Sequence, residues 1–551
     1  MSSTHLSVLE ASASRYSSRP AFRTPRVDPT TSRILEWQTI TYRQFLLDVE
    51  SYARHWFMTL SRDGIPQRSV IGLWIGGFTY IDLLHIYGIS RAGYIPQMFS
   101  LRLPNPDVIF ELLHRANAKA LIFDSSFQDV LTNTSLPIHL ALNTVEAALT
   151  AGPLPTLPQC APDDIALMFH TSGSTSGSPK LVPCTYRWMN ATVHKSSQIS
   201  KPFSPNRQDV TTWMGSMCHI GQSFMLIGTL QHGSCVIQPT VIAFSPEELV
   251  DMIHRCHLNR LRQFAAFLAM QLRASRHDTK LLSLLAGLDE VLYTGMALPR
   301  EEEEWAYHSG LPIRVSVQYV PFAGLVLKKR LQNLFGSTEC GATLISVGGC
   351  DPSAPLLHSL EGVSYSFVPI HPEQNEAGHQ STARMLEFII RAESGDCPHP
   401  SLRSADGHFH TGDLFQEAAP GSYVFRGRDD DWIKSENSLR CDTKAIEDNV
   451  RATCGNLVAD CIVVGTGRPS PVLFVEPAGD IDPSRLKKEI IRKTRHFHSR
   501  RYLHERISSP NMIIVVPRQT LPRTATKGNI RRQEVETRYK TELDQVYGLV
   551  R

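Results

Sequence analysis

His170-Thr-Ser-Gly-Ser-Thr-Ser-Gly-Ser-Pro-Lys180 follows without a break on the apolar run Ile165-Ala-Leu-Met-Phe169. Glycines let successive backbone N–H groups turn toward one point, hydroxyls add further donors, and a lysine adds a point positive charge. The stretch predicts a phosphate-binding loop at the end of a buried strand, built from Thr171, Ser172, Gly173, Ser174, Thr175, Gly177 and Lys180. A Ser/Gly linker has a similar composition, but a linker rarely opens from a buried strand and closes on Pro-Lys. The nucleotide loop that ends in Gly-Lys-Ser/Thr is excluded, because Lys180 follows Pro179 and precedes Leu181.

Outward from this loop, short apolar runs alternate with longer amphipathic ones. Val70 to Ile75, Leu121 to Phe123, Cys235 to Ile237, Val291 to Tyr293 and Glu387 to Ile390 read as further strands, each entering a bend or a polar segment. No fixed-period repeat interrupts the pattern, which is that of an α/β protein whose ligand loops sit at strand ends. Val210 to Pro246 carries no Asp, Glu, Lys or Arg, yet His219, Gln222, Gln231, His232 and Gln238 interrupt it. Amides and imidazoles are costly in hydrocarbon, so a buried strand and helix are expected there and no membrane span.

The 551 residues are 42% hydrophobic and 20% charged, which excludes a disordered, collagenous or coiled-coil chain. The net charge of +3 provides no global field for nucleic acid or anionic lipid. Residues 484–551 nevertheless hold 17 Lys and Arg against 6 Asp and Glu, so a small basic unit follows a large, mildly acidic one. Eleven cysteines without a Cys-x-x-Cys pair indicate neither a zinc framework nor a disulfide scaffold. The first residues lack a secretory pattern and Gly548-Leu-Val-Arg551 is not a peroxisomal signal, so a cytoplasmic location is expected.

Five more segments follow the phosphate loop in order: Tyr293-Thr-Gly-Met-Ala-Leu298, Leu334-Phe-Gly-Ser-Thr-Glu339, His410-Thr-Gly-Asp413, Gly427-Arg-Asp-Asp-Asp-Trp-Ile-Lys434 and Leu521-Pro-Arg-Thr-Ala-Thr-Lys-Gly-Asn-Ile-Arg531. Together the six resemble the signature of the adenylate-forming superfamily of acyl-CoA synthetases, peptide-synthetase adenylation domains and luciferase. The resemblance covers almost the whole chain. It implies a large N-terminal domain of layered sheets and helices, residues 1–426, and a small α+β C-terminal lid domain, residues 427–551.

The same resemblance implies roles. Gly295 lies in the adenine-wall turn, and Phe335, followed by Gly336 and Ser337, offers a face on which adenine stacks. Thr338 serves the α-phosphate region and Glu339 is a hard oxygen ligand for Mg²⁺. Asp413 and Arg428 hold the ribose hydroxyls. Lys527 bridges the substrate carboxylate and the α-phosphate, Asp430 is the hinge, and His219 lines the acyl pocket. A histidine among apolar residues is equally a satisfied core side chain. The implied reaction activates a carboxylic acid with ATP and Mg²⁺ to an acyl-adenylate, releasing pyrophosphate. The acyl group then passes to CoA or to the phosphopantetheine of a separate carrier protein. Transfer to an amine or oxygen nucleophile, or a degenerate adenylate-binding pseudoenzyme, are the alternatives.

The chain departs from the family pattern in three places. Lys527 precedes Gly528 where the family has Gly then Lys, and Asn437 stands where many members carry Gly. Residues 315–330 occupy what is a short strand connection in the family, and read as a retained intron or a lineage-specific insertion. No Asp lies between Trp213 and Phe224 to pair an α-ammonium, so an aryl, aliphatic or other uncharged acyl acid is expected. The chain ends soon after the lid motif, which predicts a stand-alone enzyme.

Overall fold

The computed structural model describes residues 3–101, 103, 105–131, 136–149, 152–171, 180–202, 204–294, 298–309, 311, 332–346, 356–370, 385–428, 432–434, 440–499, 505–523 and 530–547. A six-stranded sheet runs in the order Ile138–Leu140, Ala120–Phe123, Val70–Ile75, Ile95–Ser100, Ile165–Thr171, Lys180–Thr185. Its pairs are parallel except the last, which is an antiparallel hairpin. Val70–Ile75 is buried at every position, as its unbroken apolar sequence requires of a parallel strand covered on both faces.

The second sheet has thirteen strands and two characters. Pro20–Val27, Cys235–Ile237, Val210–Thr212, Arg260–Phe264, Glu290–Thr294 and Gln332–Ser337 form a parallel block, edged by Ile34–Thr41, which pairs antiparallel with Pro20–Val27. Beyond it Gly341–Ser346, Leu357–Ser359, Ser422–Arg428, Phe409–Ala419, Met385–Ile390 and Tyr365–Pro369 continue antiparallel. Gln332–Ser337 is the switch, parallel to one neighbour and antiparallel to the other. The charge-free stretch supplies Val210–Thr212, the almost wholly buried helix Ile220–Gln231, and Cys235–Ile237. Among the described residues no helix is long and apolar enough to cross a membrane.

A buried charge knot closes the N-terminal edge of the parallel block. Arg260 donates to both oxygens of Glu290 at 2.8 and 2.9 Å and to Asp209 at 3.1 Å. It also donates to the carbonyls of Ile199, Ser200 and Lys201, ending the helix Tyr186–Ser200 with a cation where the helix dipole favours one. Burial, reinforced by the neighbouring Arg260, pushes the Arg262 guanidinium down to about 9.

Residues 432–547 make their own sheets. Val458–Val464 and Val472–Pro477 pair antiparallel, and Ile513–Val515 joins the second in parallel. Side chains alternate across these strands. Cys461, Val463, Leu473 and Val475 face a core with Ile446, Val450, Leu486 and Ile490 from the helices Thr443–Cys454 and Pro483–Ser499. Ile462, Val464, Val472 and Phe474 pack with Val535 and Leu543 from Arg532–Arg538 and Lys540–Val546. The segment 315–330 lies outside the described residues, as does Asn437.

Candidate active site

Parallel strands present their C-terminal ends on one edge, and loops there meet ligands. The segment that follows Val210–Thr212 ties the edges of the two sheets together. Ser216 Oγ donates to the Gly76 carbonyl at 2.7 Å and the Met217 N–H to the Gly77 carbonyl at 2.5 Å, just past the end of Val70–Ile75. Cys218 Sγ faces the Phe99 carbonyl at 3.5 Å. The strand ends at Ser100, Thr171, Phe264, Thr294 and Ser337 therefore belong to one continuous edge.

The segment expected to bind phosphate joins the two strands of the antiparallel hairpin, whose last described pair is Thr171 and Lys180. Ser172, Gly173, Ser174, Thr175 and Gly177 lie outside the described residues. His170, which the sequence left without a role, stacks on Phe99 at 4.4 Å and 18°. Burial lowers it to about 4, so the ring is neutral. Gln97 Nε2 can donate to its Nε2 at 3.2 Å, which leaves the proton on Nδ1 to reach the Met98 carbonyl at 2.9 Å. This neutral stack fixes the strand end from which the loop departs.

Phe335, Gly336 and Ser337 belong to the strand, and only Thr338, Glu339 and Cys340 form the turn. A bulge separates Phe335 from Gly336. Any Cβ at Gly336 would come within 2.3 Å of the Gly341 carbonyl oxygen, so only glycine fits. Thr294 Oγ1 donates to the Leu334 carbonyl at 2.7 Å, tying the end of Glu290–Thr294 to this strand; Gly295 lies outside the described residues. The half-buried Phe335 ring meets Phe415 edge-on at 5.3 Å and Phe425 at 5.0 Å.

Asp413 and Arg428 are cross-strand partners, with Nη1 3.5 Å from Oδ1. Asp413 is only 7% exposed. Its N–H donates to Thr411 Oγ1 at 3.0 Å, and that hydroxyl donates to the Phe388 carbonyl at 2.7 Å. Phe415, two residues on, touches Phe335, so the carboxylate, the guanidinium and the aromatic ring share one corner of the sheet.

This corner suits a nucleotide. It offers an aromatic ring, a carboxylate backed by a cation, and a Ser337 hydroxyl buried beside the Cys340 thiol. Glu339 provides the hard oxygen a Mg²⁺ ion prefers. Among the described residues no group of three His, Cys, Asp or Glu side chains forms a metal cage.

His219 caps the helix Ile220–Gln231. Its Nδ1 accepts from the Gly221 N–H at 3.1 Å, and its ring stands edge-on to Phe264 at 5.5 Å. Lys527 and Asp430 lie outside the described residues. The base of the Lys527 segment is described: Arg523 bridges Asp460 at 2.7 Å and Glu476 at 2.8 Å, the Leu521 N–H donates to Glu476 at 3.0 Å, and Arg523 pairs antiparallel with Ile530.

Sequence reading missed three residues behind the Glu339 turn. Trp188 Nε1 donates to the Glu339 carbonyl at 3.0 Å, and Lys195 Nζ donates to the Cys340 carbonyl at 2.7 Å and to Asp396 at 2.6 Å. The available signal was a tryptophan and a lysine seven residues apart, two turns along one face of a helix.

Residues 9–361 match the AMP-binding enzyme family and residues 430–550 its C-terminal domain. The AMP-binding domain-containing enzyme iboA of Amanita muscaria is 35% identical over 504 residues, spanning 89% of this chain and 92% of that one. ATP-bound MatB from Rhodopseudomonas palustris shares the fold with a TM-score of 0.73 at 16% identity, over 98% of this chain and 99% of its own. The anthranilate CoA ligase AuaEII in complex with anthranoyl-AMP does so with a TM-score of 0.70 at 18% identity, over 98% and 97%. A family match running through both parts of the chain, with a relative 35% identical over 89% of it, makes this protein a member of the AMP-binding enzyme family within the adenylate-forming superfamily.

Proposed function

We propose that the protein joins a carboxylic acid to AMP at this edge and then passes the acyl group to a thiol. The observation that carries the reading is the shared corner of Phe335, Asp413 and Arg428 beside the Glu339 turn, on the same edge as the phosphate hairpin. Adenine stacks on Phe335, and Asp413 with Arg428 takes the ribose hydroxyls. The phosphates lie between the hairpin and the turn, where Thr338 serves the α-phosphate.

A carboxylate oxygen of the acid bonds to the α-phosphorus, the bond from that phosphorus to the bridging oxygen breaks, and pyrophosphate leaves with the electron pair. Charge grows on phosphoryl oxygens, so fixed cations and donors matter more than a general base. Mg²⁺, held by Glu339 and phosphate oxygens, supplies charge neutralisation when bound. Lys527 supplies the cation between carboxylate and α-phosphate from the lid domain, residues 427–551, which turns about Asp430 to admit the thiol. The sulfur then attacks the acyl carbon and AMP departs.

His219, capping a buried helix beside Phe264, lines the acid pocket, and the absence of an acidic residue from Trp213 to Phe224 favours an uncharged acyl chain. The acceptor is CoA or a separate carrier protein, in keeping with the CoA ligase named among the structural neighbours. The setting is secondary metabolism, and the compartment is the cytoplasm. ATP–pyrophosphate exchange across a panel of aryl and aliphatic acids tests the first half. Exchange with at least one acid is expected, and none across the panel overturns the reading. A mass shift on CoA or a phosphopantetheinylated carrier then identifies the acceptor.

A further inference from the structure

Lys195 and Asp396 are both 0% exposed, although 201 residues separate them. An ion pair this deep returns little net stability, because both charges lose their hydration. The fold has no evident need of it to hold the helix Tyr186–Ser200, which Arg260 already fixes at its C-terminal end. What the ammonium does is donate to a backbone carbonyl next to Glu339.

Trp188, Ala191 and Lys195 form one stripe along that helix, at spacings of three and four. The stripe grips two consecutive peptide units: the indole N–H holds the carbonyl of Glu339, and the ammonium holds the carbonyl of Cys340. Asp396 orients the ammonium and is itself fixed by the hydroxyls of Tyr365 and Ser394. Between the two grips, Gly395 lies so close to the helix that its Cβ would stand 3.2 Å from Ala191 Cβ.

We infer that Lys195, oriented by Asp396, is a positioning residue that locks the turn after Thr338 so that Glu339 meets a magnesium–nucleotide complex without rearranging. The inference rests on the nucleotide-binding part of the proposed function. It assigns Lys195 no contact with substrate. Residues that orient a metal ligand change metal affinity or activity by about 10–100-fold when removed.

The test uses the full-length protein. Lys195→Met alone leaves a buried carboxylate without its cation, so the informative variant is Lys195→Met with Asp396→Asn. It removes both charges and keeps an acceptor for Tyr365. ATP binding is measured by calorimetry with and without Mg²⁺, and pyrophosphate exchange supplies kcat and KM for the acid. The double variant is expected to unfold within a few degrees of the wild type, to lose about tenfold or more in Mg²⁺-dependent ATP affinity and in kcat, and to keep its KM for the acid. Unchanged Mg²⁺-dependent affinity in a folded double variant overturns the inference, as does a loss confined to KM for the acid. Trp188→Phe, which removes only the indole donor, is expected to weaken the same Mg²⁺-dependent affinity by about threefold to tenfold. If the double variant does not fold, this single variant decides, and an unchanged value overturns the inference. Calorimetry needs no turnover, so a wild type that binds Mg²⁺ and ATP but exchanges pyrophosphate with no acid would sink the proposed function and leave the positioning role to be judged on its own.

Discussion

Behind Glu339, every side chain that grips the turn is buried, and the ion pair at the centre is closed to solvent altogether. At the base of the segment that carries Lys527, Arg523 is 29% exposed and reaches one carboxylate that is 26% exposed and another that is 3% exposed. Charges in a low-dielectric interior are screened little by salt, whereas half-exposed pairs are screened and individually weak. The contrast suits a division of labour in which one half of the chemistry is built into the large domain and the other half is delivered by the lid.

The severest test of that division is Lys527→Ala. Loss of a cation aimed at developing charge is expected to cut pyrophosphate exchange by about 10²–10³-fold. ATP affinity, set by the fixed half, should hardly move. Retained exchange would transfer the role to a neighbouring cation and undo the comparison.

Arg523→Ala comes next. It leaves the buried Glu476 carboxylate with the Leu521 N–H as its remaining described donor and is expected to lower stability by about 1–3 kcal/mol. Exchange should fall by less than for Lys527→Ala. The wild-type melting temperature should also drop more, on raising salt, than that of Arg523→Ala. Equal salt dependence in the two proteins would show that the lid base is not held electrostatically.

Phe335→Ala probes the fixed half. Aromatic–base stacking is worth about 1–3 kcal/mol, so KM for ATP should rise roughly tenfold while the kcat of exchange changes much less. A drop confined to kcat would place adenine elsewhere.

The smallest effect is expected at His410, which lies in the large domain but at its surface. Its ring nitrogens face Asp406 at 2.9 Å and Glu387 at 3.1 Å, and Asp406, then Glu387, hold the imidazole pKa above its usual 6.5 against opposing burial. The folded state binds this proton more tightly. The stabilisation is therefore complete below about pH 6.5 and vanishes as pH climbs through the raised folded value. His410→Gln should flatten the melting temperature between pH 6 and 8, by well under about 1 kcal/mol at this exposure. An unaltered slope would assign the pH dependence to another group.

Much of this was legible in the sequence because the informative signals are local. Val70 to Ile75 and Ile165 to Phe169 announced buried strands by composition alone, and Thr171 and Lys180 pair at the ends of the two strands that flank the segment rich in hydroxyls and glycines. Less legible was the place of Gly336, which lies inside the strand Gln332–Ser337. Its actual role is to let two strands approach within the reach of a missing Cβ. His219 caps a helix in a place where Ser, Thr, Asp or Asn is usual, so no capping rule revealed it. Lys195 and Asp396 were invisible for a different reason: neither residue predicts burial, and only tertiary folding brings them together.

The helix that ends on Arg260 and grips the Glu339 turn has 15 residues, about 22 Å of rod at 1.5 Å per residue. Its far end is bolted to the opposite margin of the sheet. If the proposed function holds, loss of Glu290 or Asp209 at that margin is expected to disturb the Glu339 turn through this rod, at residues that a scan for substrate contacts alone would pass over.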